Sequence, residues 1–243
     1  MQKKVGIVLQ ARLDSSRLPE KSLLPLGGRP LILRVMEALN RVPAGVRALA
    51  CPEDSAKAFA PLAEEAGFAL LAGPKDDVLK RYCLAIERFG IERVIRATGD
   101  NPFVFADAAA AINAQAIALG ADYAGYSGLP LGGGAESASA DALLCAEKKS
   151  EAAWEREHVC PYLYGHPEAF FLHRPLAPRR WQGSAIRLTV DTREDYERAL
   201  LLYRALDEAE SSGELPGAKR CSGEAIIGAW QKAFLPAGAG KPE

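Results

Sequence analysis

The 243-residue sequence has little of what several classes of protein require. No apolar stretch approaches the roughly 20 residues that a membrane-spanning helix needs, so we expect no membrane association. The first apolar run, Val5–Leu9, is too short for a signal peptide and has no small-residue cleavage site, which favours a cytoplasmic protein. The 30 basic and 31 acidic side chains leave a formal net charge of -1, so nucleic-acid binding is not expected.

Cysteine and histidine do not occur in the patterns typical of metal sites or disulfide frameworks. The three histidines do not stand at the spacing of metal ligands, and no Cys-x-x-Cys pair occurs. A disulfide framework and a structural zinc site are therefore not expected, and we expect reduced, buried thiols at Cys51, Cys83, Cys145, Cys160 and Cys221. The chain also lacks the Gly-x-x-x-x-Gly-Lys-Ser/Thr of a P-loop and the Gly-x-Gly-x-x-Gly of a dinucleotide site.

Strand and helix patterns alternate four times in the first half of the chain. This order predicts an α/β protein whose parallel sheet is covered by helices on both faces. The predicted strands are Lys4–Gln10, Val46–Cys51, Phe68–Leu71 and Arg93–Ala97. The predicted helices are Pro30–Arg41, Asp54–Gly67, Asp76–Gly90 and Ala106–Leu119.

The alternation of strands and helices ends after Asp122–Tyr126, although no linker is long enough to separate two domains. We predict one domain over residues 1–235 and a flexible tail over 236–243. The elements predicted here are a Gly-rich loop at Gly128–Gly134, a helical stretch at Ala146–Tyr164 interrupted by Pro161, strands at Phe170–Arg174 and Ile186–Val190, and helices at Glu194–Ala209 and Glu224–Phe234.

The densest group of charged residues follows the first predicted strand. Arg12, Arg17 and Lys21 fall within ten residues, in a loop that also carries Ser15 and Ser16. Ligands of open α/β sheets bind at the carboxyl ends of the strands, and guanidinium and ammonium groups suit phosphate oxygens. We therefore interpret the loop as a triphosphate-binding segment, against the alternative of a solvated basic loop.

Two carboxylates stand at the ends of other predicted strands. Asp100 follows the fourth strand and Asp191 follows the predicted strand Ile186–Val190. Each has a structural alternative, an Asx-turn before Pro102 for Asp100 and a helix cap for Asp191. If the two lie close together, they form a Mg²⁺ site of two carboxylates, which phosphate oxygens and water would complete.

Two further segments are candidates for binding an acceptor molecule. Arg156 and His158 could contact an anionic group, with a charged helix face as the alternative. The glycine-rich turn before Glu136 could let the backbone approach a ligand closely. The Glu136 carboxylate could then accept hydrogen bonds from the hydroxyl groups of that ligand. A simple hairpin turn is the alternative for that segment.

These segments together resemble the cytidylyltransferases of the spore coat polysaccharide biosynthesis protein F type, which are related to CMP-KDO synthetase and acylneuraminate cytidylyltransferase. The similarity reaches from the first strand to about Tyr203. The residues that carry it are Ile7–Arg12, Ser16–Pro19 with Lys21, Pro25–Leu31, Asp76–Tyr82, Arg96–Pro102, Glu155–Val159 with Pro161-Tyr162, and Arg187–Thr192 with Glu194-Asp195.

The resemblance implies a Rossmann-like nucleotidyltransferase fold, a glycosyltransferase A-like three-layer sandwich with a mostly parallel sheet. It implies transfer of CMP from CTP to a small acceptor, an acidic sugar for surface polysaccharide or glycan synthesis, with Mg²⁺ as cofactor. Relatives often form homodimers, which places the acceptor side and a dimer contact at about 127–185. The residues that it assigns are Arg12, Ser16, Arg17 and Lys21 to the triphosphate, Gln10, Ala11, Ala97 and Thr98 to the base and ribose, Asp100 and Asp191 to the metal, and Glu136, Arg156 and His158 to the acceptor.

The sequence departs from the family pattern at two positions. Glu20 stands where relatives have glycine, so its carboxylate would either repel the phosphates or turn outward. Gly134 stands where relatives tend to carry aspartate, which points to a different acceptor or to lost acceptor chemistry. Two other functions stay open. These two departures favour a nucleotide-binding protein without turnover, whereas a nucleotide-sugar glycosyltransferase of the same fold usually needs an Asp-x-Asp, which does not occur at a predicted strand end here.

Overall fold

A computed structural model describes residues 3–235, in which a seven-stranded sheet forms the centre of the molecule. The strands are β1 (Val5–Gln10), β2 (Pro25–Leu26), β3 (Arg29–Pro30), β4 (Val46–Pro52), β5 (Ala69–Gly73), β6 (Arg93–Thr98), β7 (Tyr123–Ala124), β8 (Glu136–Ser139) and β9 (Leu172–His173). The sheet order is β5-β4-β1-β6-β8-β7-β9, and β2 and β3 pair separately as a small antiparallel ribbon. The strands β5, β4, β1 and β6 are mutually parallel, whereas β8 runs antiparallel to both of its neighbours.

Helices cover both faces of the sheet and complete a three-layer arrangement, which confirms the predicted fold class. The helices are α1 (Leu31–Leu39), α2 (Ala56–Ala66), α3 (Val78–Phe89), α4 (Ala106–Leu119), α5 (Ala140–Lys149), α6 (Ala153–His158), α7 (Pro161–Gly165), α8 (Arg193–Ser211) and α9 (Gly223–Phe234). Successive side chains of β1 point to opposite faces of the sheet. Ile7 and Leu9 pack in the core with α1, α2, α4, α8 and α9. Val8 packs on the other face, with α3, α5 and α7.

Strand β8 is the main element that the sequence did not predict. Its residues are Glu-Ser-Ala-Ser, without the apolar run of the other central strands. Ser137 is fully buried and donates a hydrogen bond to Asn113 Oδ1 at 2.9 Å, so a small polar residue is accommodated where a Val or Ile is usual. Glu136 therefore begins a strand of the sheet, directly after the glycine-rich turn.

The predicted strand Ile186–Val190 is wrong, because its backbone groups bond to two different segments. Leu131 accepts a hydrogen bond from the amide of Leu188 at 2.7 Å, and Asp100 accepts one from the amide of Val190 at 2.9 Å. Only an isolated bridge between Leu131 and Arg187 remains of the expected pairing. The segment thus connects two loops at the end of the sheet.

The predicted helical stretch Ala146–Tyr164 is also wrong in its extent. Three helices, α5 to α7, replace it, and the first of them begins six residues earlier, at Ala140. Ser139 caps α5 by accepting a hydrogen bond from the amide of Ala142. The break before α7 precedes Pro161, whose missing N–H is tolerated in a first helical turn.

The cysteines behave largely as predicted. Cys51, Cys83 and Cys160 are buried, while Cys145 and Cys221 are partly exposed, and all five are free thiols. Burial raises the pKa of Cys51 to about 11 and that of Cys83 to about 12, so both stay protonated at neutral pH. Among residues 3–235, no helix is long and apolar enough to cross a membrane. The predicted tail, 236–243, lies outside the described residues.

Candidate active site

A cavity of about 340 Å³ opens where β1 and β6 end, at the edge of the sheet where ligands of open α/β folds bind. Ten of the residues that the sequence singled out line it, which brings together segments from both halves of the chain. These residues are Gln10, Ala11, Arg12, Ser16, Arg17, Lys21, Thr98, Asp100, His158 and Asp191.

Lys21 lies at the centre of the polar end of this cavity. Its Nζ donates hydrogen bonds to Asp100 Oδ2 at 3.0 Å, to Asp191 Oδ1 at 2.9 Å and to the carbonyl oxygen of Val190 at 2.9 Å. The Arg17 guanidinium stands 3.3 Å from Asp191 Oδ1. Two carboxylates from distant segments therefore share one partially buried ammonium group, and Asp191 also contacts the guanidinium groups of Arg17 and Arg187.

The start of α8 fixes the position of Asp191. The Asp195 carboxylate accepts hydrogen bonds from the amides of Asp191 and Thr192 and from Arg187, while Thr192 caps the helix through its hydroxyl. Although burial opposes the charge of Asp195, these hydrogen bonds outweigh it and hold the pKa of the carboxyl well below its usual range. Because Asp195 and Thr192 provide the cap, the Asp191 side chain is free to face the cavity.

The glycine-rich turn contributes to this geometry by packing. Gly132 has a φ of +91°, and a Cβ there would lie 2.6 Å from the amide nitrogen of Thr189. Only glycine allows the turn to approach the segment that carries Asp191. The close backbone contact that the sequence suggested for this turn is thus made with the protein chain.

Asp100 and Asp191 can hold a divalent cation together with a ligand. Within residues 3–235 no group of three or more His, Cys, Asp or Glu side chains is clustered in the manner of a complete metal site. Two partly exposed carboxylates do suit Mg²⁺, a hard cation that commonly takes one or two carboxylates plus phosphate oxygens and water. The donor set therefore fits a metal that arrives with a phosphate-bearing ligand.

The loop after β1 presents its other cations to solvent. The side chains of Arg12 and Arg17 are 51% and 64% exposed, so both guanidinium groups remain accessible to an anion. Glu20 adopts a left-handed conformation with a φ of 51°, where glycine carries no steric cost. Its side chain is exposed and does not line the cavity, so the outward orientation is the one adopted.

His158 reaches the same cavity through an unusual turn. Val159 has a φ of 73° and a ψ of -57°, and the amide of Cys160 donates to the carbonyl oxygen of His158 at 2.9 Å. This combination is a γ-turn of the rare, strained type, at a buried β-branched residue. The turn places Glu157 and His158 in the lining of this cavity.

A second cavity of about 340 Å³ lies on the other side of the end of β6. Arg96 and Thr98 line both cavities and form part of the wall between them. The second cavity also contains two of the predicted site residues, Ala97 and Glu136. Its other lining residues include Asn101, Tyr123, Tyr126, Gly134 and Arg174.

Comparison with known proteins identifies the family. The family model described as "Cytidylyltransferase" matches residues 6–214, which is most of the chain. The chain belongs to the cytidylyltransferase family. The spore coat polysaccharide biosynthesis protein SpsF of Bacillus subtilis is 29% identical over 208 residues, covering 83% of this chain and 87% of that protein. The 3-deoxy-manno-octulosonate cytidylyltransferase of Anaeromyxobacter sp. (strain K) is 31% identical over 110 residues, covering 44% of this chain and 45% of that protein.

Solved structures share the fold of this cytidylyltransferase. A cytidylyltransferase from Leptospira borgpetersenii superposes with a TM-score of 0.78 at 24% identity, covering 88% of this chain and 96% of that one. CMP:2-keto-3-deoxy-manno-octonic acid synthetase complexed with CTP gives a TM-score of 0.63 at 17% identity, covering 87% and 100%. Rv0371C of Mycobacterium tuberculosis in complex with manganese gives 0.57 at 15% identity, covering 82% and 98%.

The structure does not bring Arg156 into either cavity of this cytidylyltransferase. Its guanidinium pairs with the Asp77 carboxylate and donates to the carbonyl oxygens of Glu147, at 2.9 Å, and Ser150, at 3.0 Å. Arg156 therefore ties α6 to the start of α3 and the end of α5. The nearby His158 lines the first cavity, and Arg156 does not.

This position predicts a structural effect for the Arg156→Gln variant. We expect the free energy of unfolding to fall by about 1–3 kcal/mol, because partly buried partners lose charge-assisted hydrogen bonds. We expect the KM of the acceptor to change less than about twofold, because the guanidinium lines no cavity. Thermal unfolding and steady-state kinetics on the same preparation measure the two effects, and a raised acceptor KM in a fully stable variant would contradict this role.

Sequence reasoning missed Arg96 as a site residue, although it stands in a segment that carries the family resemblance. Its Nε donates to Gln10 Oε1 at 3.2 Å, and its Nη1 pairs with Glu136. Burial opposes the charge of Arg96, but Glu136 and smaller contributions outweigh it and raise the pKa of the guanidinium. The signal that could have identified it is a second arginine, after Arg93, inside a central strand where charged residues are uncommon.

Proposed function

We propose that this enzyme transfers CMP from CTP to an oxygen of a small anionic acceptor and releases pyrophosphate. The observation that carries the proposal is Lys21, whose ammonium group holds Asp100 and Asp191 together at the end of a cavity that also contains Arg12 and Arg17. Such an arrangement suits a triphosphate and its metal ion. The family membership and the likeness to a synthetase complexed with CTP support the choice of nucleotide.

In the proposed reaction, an acceptor oxygen attacks the α-phosphorus in line and the bond from that phosphorus to the bridging oxygen of pyrophosphate breaks. The acceptor loses its proton to solvent, since no side chain in the cavity is arranged as a dedicated base. Lys21, Arg12 and Arg17 hold the triphosphate and stabilise the charge that develops on pyrophosphate. The protein contributes mainly orientation and charge neutralisation.

Asp100 and Asp191 would hold the metal ion, for which we propose Mg²⁺. When bound, the ion supplies Lewis-acid stabilisation of phosphate oxygens and lowers the pKa of an oxygen it binds. The hard oxygen donors of the two carboxylates support this choice, as does the manganese complex of a protein with the same fold. Gln10, Ala11, Ser16 and Thr98 would line the rest of the nucleotide, with Ala97 behind them.

We place the acceptor in the second cavity, which adjoins the nucleotide cavity at Arg96 and Thr98. Arg174 is exposed at this cavity and makes no ion pair within residues 3–235, so its charge is available to an acidic group. Asn101 Oδ1 is buried there and accepts no hydrogen bond from the described part of the chain. The free guanidinium suits an acidic group, and the unpaired amide oxygen suits a hydroxyl group that donates a hydrogen bond to it. A sugar acid carries both groups.

Arg174 provides a test of this placement. We expect Arg174→Gln to raise the KM of an anionic acceptor about tenfold and to leave the KM of CTP unchanged, because the lost charge-assisted contact lies outside the nucleotide cavity. The matched control is Arg180→Gln, which removes another exposed arginine stacked on an aromatic ring but lines neither cavity. Equal effects of the two substitutions on acceptor KM would contradict the placement.

A second copy of the chain would fit the segment 127–185, as the family resemblance suggests. Within residues 3–235, several large apolar side chains of this segment are exposed, which is typical of an interface. They are Leu131, Trp154, Tyr164, Phe171 and Leu176.

The function is tested by a pyrophosphate-release screen. CTP, UTP, ATP and GTP are each combined with a panel of sugar acids and matched neutral sugars, with and without Mg²⁺. We expect release only when CTP, a sugar acid and Mg²⁺ are all present. Nucleotide binding without release for any acceptor would favour a binding protein without turnover, and sugar transfer from a nucleotide sugar would favour a glycosyltransferase.

A further inference from the structure

Two carboxylates flank Arg12, one of the exposed cations that line the nucleotide cavity. The Arg12 Nη2 lies 3.5 Å from Glu157 Oε1, and its Nε lies 3.8 Å from Asp14 Oδ1. Lys21, in the same loop, makes hydrogen bonds of 3.0 and 2.9 Å to its two carboxylates. Arg12 therefore has counter-charges nearby but is held by them less closely than Lys21 is.

Of these two carboxylates, only Glu157 depends on Arg12 for its counter-charge. Asp14 is also paired with Lys75, whose Nζ lies 2.7 Å from Asp14 Oδ2. Within residues 3–235, Arg12 is the one cation that pairs with Glu157. Glu157 also lines the nucleotide cavity, whereas Asp14 does not. The Arg12–Glu157 pair is therefore the one that a ligand in this cavity would meet.

The backbone on both sides of Glu157 is fixed. Arg156, the residue before it, pairs with the Asp77 carboxylate at the start of α3. The segment after it makes the γ-turn at Val159. The Glu157 side chain itself is half exposed, so it can turn into solvent without a movement of this backbone. The Glu157 carboxylate thus stays close to Arg12, and a ligand can still displace it.

This arrangement weakens the contact that Arg12 can make to a phosphate. A guanidinium binds an oxyanion most strongly through two nitrogens, along either its Nε–Nη2 edge or its Nη1–Nη2 edge. Nη2 belongs to both edges, and it is the nitrogen that faces Glu157. A phosphate that binds Arg12 through two nitrogens therefore competes with the Glu157 carboxylate for Nη2.

We propose that Glu157 lowers the affinity of the nucleotide cavity for pyrophosphate, by competing for Arg12, and so favours the release of this product. The inference rests on the proposed function, in which Arg12 contacts the part of the triphosphate that leaves. Tight binding of a product slows turnover wherever its release limits the rate. Glu157 acts through the Arg12 guanidinium and contacts no reacting atom. Its carboxylate takes the place of a phosphate oxygen at Nη2 as pyrophosphate leaves.

The test compares the pyrophosphate affinity of the wild type with that of Glu157→Gln, measured by calorimetry with Mg²⁺. The amide keeps the size of the side chain and removes its charge. We expect the variant to bind pyrophosphate about threefold more tightly, which is the effect of one exposed ion pair. A substitution that only disturbs the structure would weaken binding, so a gain in affinity is the informative result. Cytidine, which carries no phosphate, should bind both proteins equally.

Two controls show whether the gain comes from the Arg12–Glu157 pair. Glu151→Gln removes the same charge from an exposed residue just before α6 that lines neither cavity, and it should leave the pyrophosphate affinity unchanged. In an Arg12→Gln background, Glu157→Gln should give no gain, because the two side chains act as a pair. In about 1 M salt, where the screening length is about 3 Å, the gain in the single variant should also shrink.

The outcomes distinguish this inference from the proposed function. Unchanged or weaker pyrophosphate binding in Glu157→Gln overturns the role of Glu157. An equal gain in Glu151→Gln, or a gain that persists without Arg12, overturns it as well, and in each of these cases the nucleotidyltransferase function stands. Failure of the wild type to bind either CTP or pyrophosphate in the presence of Mg²⁺ overturns both.

Discussion

Replacing Lys21 by methionine should reduce the kcat/KM for the nucleotide by about 10²- to 10³-fold. The substitution removes the ammonium group that contacts Asp100 and Asp191, and with it a cation that would stabilise the departing pyrophosphate. It also leaves two carboxylates without their shared counter-charge, so they repel the incoming triphosphate. The rate of pyrophosphate release at several nucleotide concentrations measures the effect.

Lys75 offers a matched control for this experiment. It also bridges two aspartates, Asp14 at 2.7 Å and Asp54 at 3.2 Å, but its side chain is 48% exposed against 13% for Lys21. Lys75 does not line the nucleotide cavity, and exposed ion pairs contribute little to stability. Lys75→Met should therefore retain nearly full activity. If Lys21→Met also retained activity within about threefold, the assignment of the loop to the triphosphate would be wrong.

The Asp191→Asn variant should lose at least about 10²-fold in Mg²⁺-dependent turnover, because one of the two anionic metal ligands becomes neutral. The variant should stay folded, since the cap of α8 is provided by Thr192 and Asp195, although Lys21 and Arg187 lose a charged acceptor and some stability should be lost with it. Titrating Mg²⁺ at fixed CTP should show a shift to higher metal concentrations. A normal Mg²⁺ response would contradict the metal site.

Asp195, four residues further on, serves as the contrasting position. It is 4% exposed and accepts hydrogen bonds from Arg187, Arg198 and two backbone amides. We expect Asp195→Asn to lower the free energy of unfolding by about 1–3 kcal/mol, because the buried carboxylate loses the charge that its hydrogen-bond donors bind. At temperatures where this variant stays folded, its Mg²⁺ dependence should shift less than that of Asp191→Asn, because Asp195 positions Asp191 but is not itself a proposed metal ligand. The pair thus separates a ligand from a structural carboxylate in the same segment.

The central strands were predictable because strands buried on both faces are continuous apolar runs. The predicted strand Lys4–Gln10 matches β1, and Arg93–Ala97 matches β6, each to within one residue at either end. Strand β8 was missed because Ser137 satisfies its own buried hydroxyl through Asn113, a contact that no local pattern shows. The apolar residues of Ile186–Val190 predicted a strand. They do pack in the core, but their backbone forms no ladder, which the sequence pattern does not show.

The sequence predicted those site residues whose chemical type and whose position after a strand indicate the same role. Lys21 and Asp100 both follow strands of the same sheet edge, so their proximity follows from a parallel topology. The partner of Arg156 was not predictable, because Asp77 lies 79 residues away and competes with any ligand for the same guanidinium. The orientation of the Gln10 amide was not predictable either, because it depends on Arg96, and the sequence shows Arg96 only as a residue of a strand.

The position of bond cleavage in the nucleotide tests the central claim most directly. Phosphorus-31 NMR of a reaction containing CTP, Mg²⁺ and an active sugar acid should show pyrophosphate together with one phosphodiester, in which the α-phosphorus joins cytidine to the acceptor. A product mixture of CDP and a phosphorylated acceptor, or inorganic phosphate released from the γ position, would place the chemistry elsewhere on the triphosphate and contradict the account.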